Sequence, residues 1–302
     1  MTPNQMKLGA HFLAVVFTSV WLPCHAADAK EAAPITKEDA PITKDVAPTA
    51  KEEAPIASEV KTAVVEPLPA ILASPKRADF QNEPFSREAR HVADWVVDSG
   101  DNKGKPFVVV DKIAAKVFVF EPTGRLRGAA PALLGIAKGD HTAPGVGDRE
   151  LSSIRLQDRT TPAGRFVAAL GVNYGGKDIL WVDYDAAISM HRVINTKPLE
   201  RRPHRLNTPT PLDNRISFGC INVPIKFFDT VVSPSFTKTD GIVYVLPETR
   251  SVQAQFASYD VEEHARQVQA QVQAQVQAQV QAQVQTQLQT STLPAEGSAP
   301  VQ

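Results

Sequence analysis

Ile216-Ser217-Phe218-Gly219-Cys220-Ile221-Asn222 sets a cysteine between a glycine and an apolar residue, the pattern of a tight turn that presents a nucleophile. The other of the chain's 2 cysteines, Cys24, falls in a segment that reads as an export leader, so leader removal would leave Cys220 without an intramolecular partner. Thiols of exported proteins usually pair, and one left over is either reactive or accidental. By itself a cysteine beside glycine is more often a small buried residue. As a nucleophile it must be a thiolate, which calls for a base or a positive field to lower a pKa of about 8.5. Two histidines precede it: His191 in Ile188-Ser189-Met190-His191-Arg192-Val193, and His204 in Arg202-Pro203-His204-Arg205. Either can serve as the base. His141, in Gly139-Asp140-His141, reads as a loop residue, and no Cys/His spacing points to a zinc site.

Short strands must position these groups. Phe107 to Val110 and Val117 to Phe120 are β-branched and aromatic runs joined by a polar turn at Asp111 to Ala115, the pattern of a hairpin. Arg165 to Leu170, Ile179 to Val182, Ala187 to Val193 and Gly241 to Leu246 are further strand candidates, separated by loops containing Gly and Pro. Ahead of them Ser86 caps a helix running to about Val97, with Ala89, Val92, Ala93 and Val96 on one face and Gly100 at its end. Many short strands with one or a few short helices predict a mostly β sandwich or barrel, flanked by low-complexity tails.

Both ends of the chain differ in character from this middle. Residues 1–26 carry Lys7, an apolar run from Phe12 to Leu22 and a cleavage position at Ala26, which reads as a signal peptide. The run is short for a transmembrane helix, so no stable membrane anchor is expected after cleavage. Residues 27–77 read as an extended Ala/Pro/Lys/Glu linker: Lys30, Lys37, Lys44 and Lys51 recur in register with Pro34, Pro41, Pro48 and Pro55, and a proline in every repeat stops helix propagation. Residues 251–302 are a Val/Gln/Ala tail in which Val-Gln-Ala-Gln recurs from Gln267 to Gln289. Period two there suggests a strand while Ala and Gln favour helix, and a tail with partial helix is expected. The folding domain is thus placed at 78–250. With 32 basic and 33 acidic residues, net charge −1, nothing argues for nucleic-acid binding or attachment to an anionic membrane.

Ser217-Phe218-Gly219-Cys220-Ile221-Asn222 resembles the Ser/Thr-His-Gly-Cys-apolar-Asn signature of the L,D-transpeptidases of the YkuD-like family, which cross-link bacterial peptidoglycan. Thr161-Pro162-Ala163-Gly164-Arg165-Phe166 resembles that family's Thr-Pro-x-Gly-x-Phe turn, and the Phe107 to Phe120 hairpin its opening strands. The similarity covers about residues 105–247. It implies a divergent member with a β-sandwich or barrel domain, Cys220 as nucleophile, a histidine at a strand end as base, and no cofactor or metal. The 16-residue spacing from His204 to Cys220 lies within the family's usual range, whereas His191 is 29 residues away. The apolar strand leading into His191 matches the family better, and His191 is the base we select, with Leu199 to Asn214 as an enlarged loop. Phe218 stands where the family has a histidine or similar polar residue. Gly219 is expected to let the backbone turn and offer amide donors to an oxyanion, Ser217 to orient the turn, and Asn222 to brace the backbone.

The implied activity is that of an exported, periplasmic or cell-envelope acyltransferase acting on peptidoglycan stem peptides through a Cys220 thioester, a role in cell-wall biogenesis and cell shape. Two alternatives stay open: a hydrolytic L,D-carboxypeptidase or amidase of the same fold, and a non-catalytic peptidoglycan-binding envelope protein. The stretch from Arg192 to Arg215 holds Arg192, Arg201, Arg202, Arg205 and Arg215 against Glu200 and Asp213 alone. Arg192 and Arg215 are therefore expected to receive stem-peptide carboxylates, a task that suits the guanidinium fork. The bland counterpart is a solvated loop tied by ion pairs.

Overall fold

The run Phe107-Val108-Val109-Val110 lacks polar alternation because both of its faces are buried. In the computed structural model, which describes residues 74–291, the strands are β1 (Phe107–Asp111), β2 (Lys116–Phe120), β3 (Leu126–Pro131), β4 (Leu134–Gly135), β5 (Gly164–Val172), β6 (Asp178–Asp183), β7 (Ile188–Arg192), β8 (Arg215–Ser217), β9 (Ile221–Val223) and β10 (Gly241–Val245). The helical segments are α1 (Arg87–Ser99), α2 (Arg202–Arg205), α3 (Ile225–Phe227), α4 (Ser233–Phe236), α5 (Val252–Phe256) and α6 (Val261–Ser291), with a π turn at Phe228–Val232 and single 3-10 turns elsewhere. The predicted leader and nearly all of the predicted linker lie outside the described residues.

Eight strands form one sheet in the order β3-β2-β1-β10-β5-β6-β7-β9, while β4 and β8 pair separately. Past β3, Leu133 exchanges both backbone hydrogen bonds with Asn222 of β9, at 2.8 and 2.9 Å, so the two ends of the sheet nearly meet. The fold is mostly β, a nearly closed sheet with few helices. Alternate residues of the central strands feed two cores: Val108, Val110, Val117, Val119, Val243 and Val245 point one way, and Phe107, Val109, Phe118, Phe120, Ile242 and Tyr244 the other. The first core is sealed by Phe227, Phe228, Val232 and Phe236, and the second by Ala89, Val92, Ala93 and Val96 of α1.

Local chemistry sets the boundaries. Ser86 accepts the Ala89 amide at 3.0 Å, and Gly100 closes α1 in the left-handed region at φ 70°. Asp111 accepts the amides of Ile113 and Ala114, which fixes the turn between β1 and β2.

The packed region continues past the expected limit at residue 250. Val252 and Val261 are buried in the second core, with Phe256 and Tyr259 against it, and Tyr259 bonds Asp98 of α1. Beyond it the Val-Gln-Ala-Gln repeat is helical throughout α6 rather than in part. The period-two alternation is also a period-four valine repeat, which suits a helix built largely of Ala and Gln. No helix among the described residues is long and apolar enough to cross a membrane.

Candidate active site

Parallel pairing of β7 with β9 sets His191 opposite Asn222 and Met190 opposite Ile221. One step back along each strand, Ser189 meets Cys220, with its hydroxyl 3.7 Å from Sγ. Ser189 and His191 share a face of β7 because they are two residues apart, as are Cys220 and Asn222 on the other chain segment. The cluster of Cys220, Ser189, His191 and Asn222 is therefore a product of sheet register.

Cys220 is half-buried and, among the described residues, is the free cysteine. Its Sγ lies 3.6 Å from the carbonyl of Ala187, a non-glycine residue at φ 55° in the turn between β6 and β7. Burial alone pushes the Cys220 thiol up, but pairing with His191 and contacts from Ser189 outweigh it and hold the thiol below its ordinary value. For His191, burial pushes the imidazole down, and pairing with Cys220 outweighs this and raises it. Both shifts favour a thiolate beside an imidazolium. Nδ1 of His191 donates to the Arg192 carbonyl at 2.8 Å, an assignment that leaves Nε2 to exchange a proton with the thiol. Asn222 Nδ2 sits 3.5 Å from Nε2 and donates to the Cys220 carbonyl at 3.2 Å, while its Oδ1 accepts from Arg202 at 3.0 Å.

The turn itself is held from several sides. Gly219 has φ 131°, and a Cβ there would lie 2.7 Å from Ile188 Cδ1 and 2.8 Å from the Thr160 carbonyl, so a side chain is excluded twice over. Ser217 Oγ donates to the Cys220 carbonyl at 2.6 Å and accepts the Gly219 amide at 3.1 Å. That amide, expected to face an oxyanion, is committed to bracing the turn. Thr161, fully buried, donates to the Gly219 carbonyl at 2.7 Å and accepts the Gly135 amide at 2.9 Å. The two separated motifs of the sequence thus meet through one hydroxyl.

Behind Thr161 lies a buried charged network. Lys112 Nζ donates to the Thr161 carbonyl at 3.0 Å, the Gly139 carbonyl at 2.6 Å and Asp140 at 2.8 Å. Burial pushes Asp140 up, but Lys112, Thr249 and the amides of Glu248 and Thr249 outweigh it and hold the carboxyl well below the usual carboxylate range. Burial pulls Lys112 down against the opposing effect of Asp140.

The remaining residues singled out in the sequence have other partners than the thiol. Arg192 is paired with Asp178 at 2.8 Å and Asp229 at 2.6 Å and lies over the Phe228 ring; Arg215 is paired with Glu248 at 2.5 Å. The expectation that these two arginines receive substrate carboxylates meets guanidiniums already neutralised by carboxylates 14 to 37 positions away in sequence. His204 is exposed on α2. The enlarged loop is not simply solvated, since Leu206 and Asn214 are buried and Arg205 bonds the carbonyls of Glu200 and Asp213.

No family model matches the chain, and no curated protein matches it. Among solved structures it is similar to an L,D-transpeptidase from Mycobacterium smegmatis, at 14% identity and TM-score 0.27 over 47% of this chain and 58% of that one. It is also similar to the K307A mutant of the helical cell shape determining protein Pgp2 from Campylobacter jejuni, at 15% identity and TM-score 0.32 over 61% and 62%. A third is the catalytic domain of the E. faecium L,D-transpeptidase, at 17% identity and TM-score 0.26 over 47% of this chain and 98% of that domain. The chain spans about three-fifths of the length of the first two.

A cavity of about 340 Å³ opens beside His191 and Arg192, bordered by Asn173, Lys177, Asp178, Ile194 and Ile225. A larger one, about 600 Å³, lies between α1 and the start of α6; its lining mixes arginines with acids and includes neither Cys220 nor His191. The smaller one is lined by His191 but not by Cys220. Ser189 and Arg202 are neighbours of the site that the sequence reading did not assign to it. Spacing of two from His191 on a strand is the signal that picks out Ser189.

Proposed function

We propose that the protein is a cysteine acyltransferase of the L,D-transpeptidase kind, exported to the cell envelope and acting on peptidoglycan stem peptides. The observation that carries this reading is the sheet register that sets the half-buried Cys220 thiol beside Ser189 and His191 of β7, with the thiol's pKa lowered and the imidazole's raised by their pairing. The resemblance of the Ser217 to Asn222 and Thr161 to Phe166 segments to the family signature supplies the substrate class.

In this reading the Cys220 thiolate attacks the carbonyl carbon of an L,D-peptide bond in the donor stem. The tetrahedral intermediate collapses with cleavage of the C–N bond, His191 gives its proton to the departing amine of the terminal D-residue, and a thioester remains. An acceptor amine then attacks the thioester and yields a proton to the neutral His191, and the thiolate leaves. The Arg192 carbonyl, accepting from Nδ1 in either protonation state, holds the imidazole in the orientation both steps need.

The test is intact mass spectrometry of the wild-type protein and Cys220→Ala after incubation with a tetrapeptide stem. A covalent adduct whose added mass is that of the peptide less its free terminal amino acid is expected on the wild type alone, with a cross-linked dimer as product when an acceptor is present. Release of tripeptide without dimer would assign hydrolysis instead. A folded wild-type protein that never acylates would refute the enzyme.

A further inference from the structure

The arginines that the sequence offers as anion receptors are internally paired, yet a different one borders the nucleophile turn with its charge unmet. The Arg159 guanidinium lies face-on over the Phe218 ring, 3.8 Å from the ring centroid, and Phe218 is two residues before Cys220. Arg159 Nε and Nη2 both donate to the Ile154 carbonyl, at 3.0 and 2.8 Å, which fixes the plane of the fork. Two of the five N–H donors of a guanidinium are thereby used. No carboxylate of the described residues forms an ion pair with it; the adjacent Asp158 is taken by Arg149 at 3.1 Å and Arg155 at 3.0 Å. Arg159 is also only half-buried.

Its position is fixed relative to the thiol by the backbone. The carbonyl of Thr160, the next residue, would lie 2.8 Å from a Cβ on Gly219, and Thr161 bonds the Gly219 carbonyl. Gly147, at the far end of the same segment, packs its α-carbon against the Asp185 carbonyl in the turn that carries Ala187, the residue facing Sγ. The segment 146–159 therefore meets the turn that carries Ala187 at one end and leads at the other into Thr160, beside Gly219. Phe218 has a use here that a polar residue would not supply: an aromatic platform that orients a cation and takes no charge from it.

We propose that Arg159, stacked on Phe218, is the carboxylate-binding residue of the donor site, and that it selects a peptide whose terminal carboxylate is free. The identity of the anion as a peptide carboxylate rests on the acyltransferase reading above; the existence of an anion site beside Cys220 does not. A planar fork with three open donors suits bidentate capture of a carboxylate.

The experiment compares alkylation of Cys220, mapped by peptide mass, by iodoacetate and by the neutral iodoacetamide in wild type, Arg159→Gln, Arg159→Lys and Phe218→Leu. The iodoacetate to iodoacetamide rate ratio is expected to fall about tenfold in Arg159→Gln, the equivalent of one charged hydrogen bond, less in Phe218→Leu, and least in Arg159→Lys. The iodoacetamide rate itself reports whether the turn is intact. An unchanged ratio in Arg159→Gln overturns the anion site. In a second arm, wild type is expected to acylate on a tetrapeptide with a free terminal carboxylate about tenfold faster than on its C-terminal amide, and Arg159→Gln to lose that preference. A wild type indifferent to amidation overturns the assignment to the donor carboxylate. If no peptide acylates the wild type, the acyltransferase reading fails, and the alkylation ratio alone decides whether Arg159 forms an anion site.

Discussion

Thr161→Val separates the shape of one side chain from its hydrogen bonds. Valine fills nearly the same volume, so the fully buried site stays packed, but the Gly219 carbonyl loses its donor at 2.7 Å and the Gly135 amide its acceptor at 2.9 Å. Each orphaned buried group costs about 1–3 kcal/mol. Burying the extra methyl returns at most about 0.8 kcal/mol. The net loss is therefore about 3 kcal/mol, which for a domain of this size lowers the melting temperature by roughly 6–12 °C. Because Gly219 precedes Cys220, freeing its carbonyl also loosens the turn that holds Sγ. Thermal unfolding followed by circular dichroism measures the first effect, and the iodoacetamide rate at Cys220 the second. Thr161→Ser keeps the hydroxyl and loses the methyl, and is expected to melt lower by only about 1 kcal/mol's worth while keeping the alkylation rate. A valine variant melting within about 2 °C of wild type, or a serine variant more harmful than valine, would refute the argument that this hydroxyl joins the two motifs.

Because pairing with His191 depresses the Cys220 thiol, the thiolate persists to lower pH than a free thiol's pKa of about 8.5 would allow; the acid limb of the iodoacetamide pH–rate profile should lie below that value and move up in His191→Gln. Identical profiles would remove His191 from the site. Lys112→Met leaves the buried Asp140 carboxylate without its ammonium and should cost about 3–5 kcal/mol in urea unfolding, with Lys112→Met/Asp140→Asn recovering part of it. Since the folded-state pKa of Asp140 is depressed, its contribution is present above its unfolded value of about 3.9 and is lost as pH falls through the folded value; Asp140→Asn should flatten that part of the stability curve. Ending the chain after Arg266 should leave the urea midpoint unchanged, whereas ending it after Arg250 removes the packing of Val252, Phe256, Tyr259 and Val261 and should cost about 3–6 kcal/mol. Equal midpoints for the two truncations would place the domain's end at residue 250 after all.

The hairpin of β1 and β2 is visible in sequence because burial on both faces makes its apolar runs continuous and its turn polar. The strands around Cys220 are not: β8 and β9 are three residues each and β4 is two, too short for any period to register. The pairing of β9 with β7 is what brings His191 and Ser189 to Cys220, and register between residues 31 positions apart has no local signature. The same reason explains the arginines. A count of charges along Arg192 to Arg215 finds an excess of base, but the acids that answer it, Asp178, Asp229 and Glu248, lie outside that stretch and arrive through the sheet. Local charge imbalance is thus a poor guide to free charge in a β protein. Arg159 was invisible to that count because its neighbours Asp148, Glu150 and Asp158 make its own stretch look balanced.

The Phe218 position shows how a departure from a motif can carry information. Against the family signature it is a lost polar group next to the nucleophile, which by itself argues for weakened catalysis. Placed in the structure it is a half-buried ring with a guanidinium on its face. A polar side chain at 218 would compete with Ile154 for the Arg159 donors, whereas a ring attracts the cation through its face and leaves the fork's edge open. Phe218→His should therefore draw Arg159 out of its plane, keep the Cys220 thiol reactive toward iodoacetamide, and lower the preference for iodoacetate by about the factor seen in Phe218→Leu. A Phe218→His protein that matched wild type in both rates would mean that the ring is a space-filler and that the stacked geometry does not orient the charge.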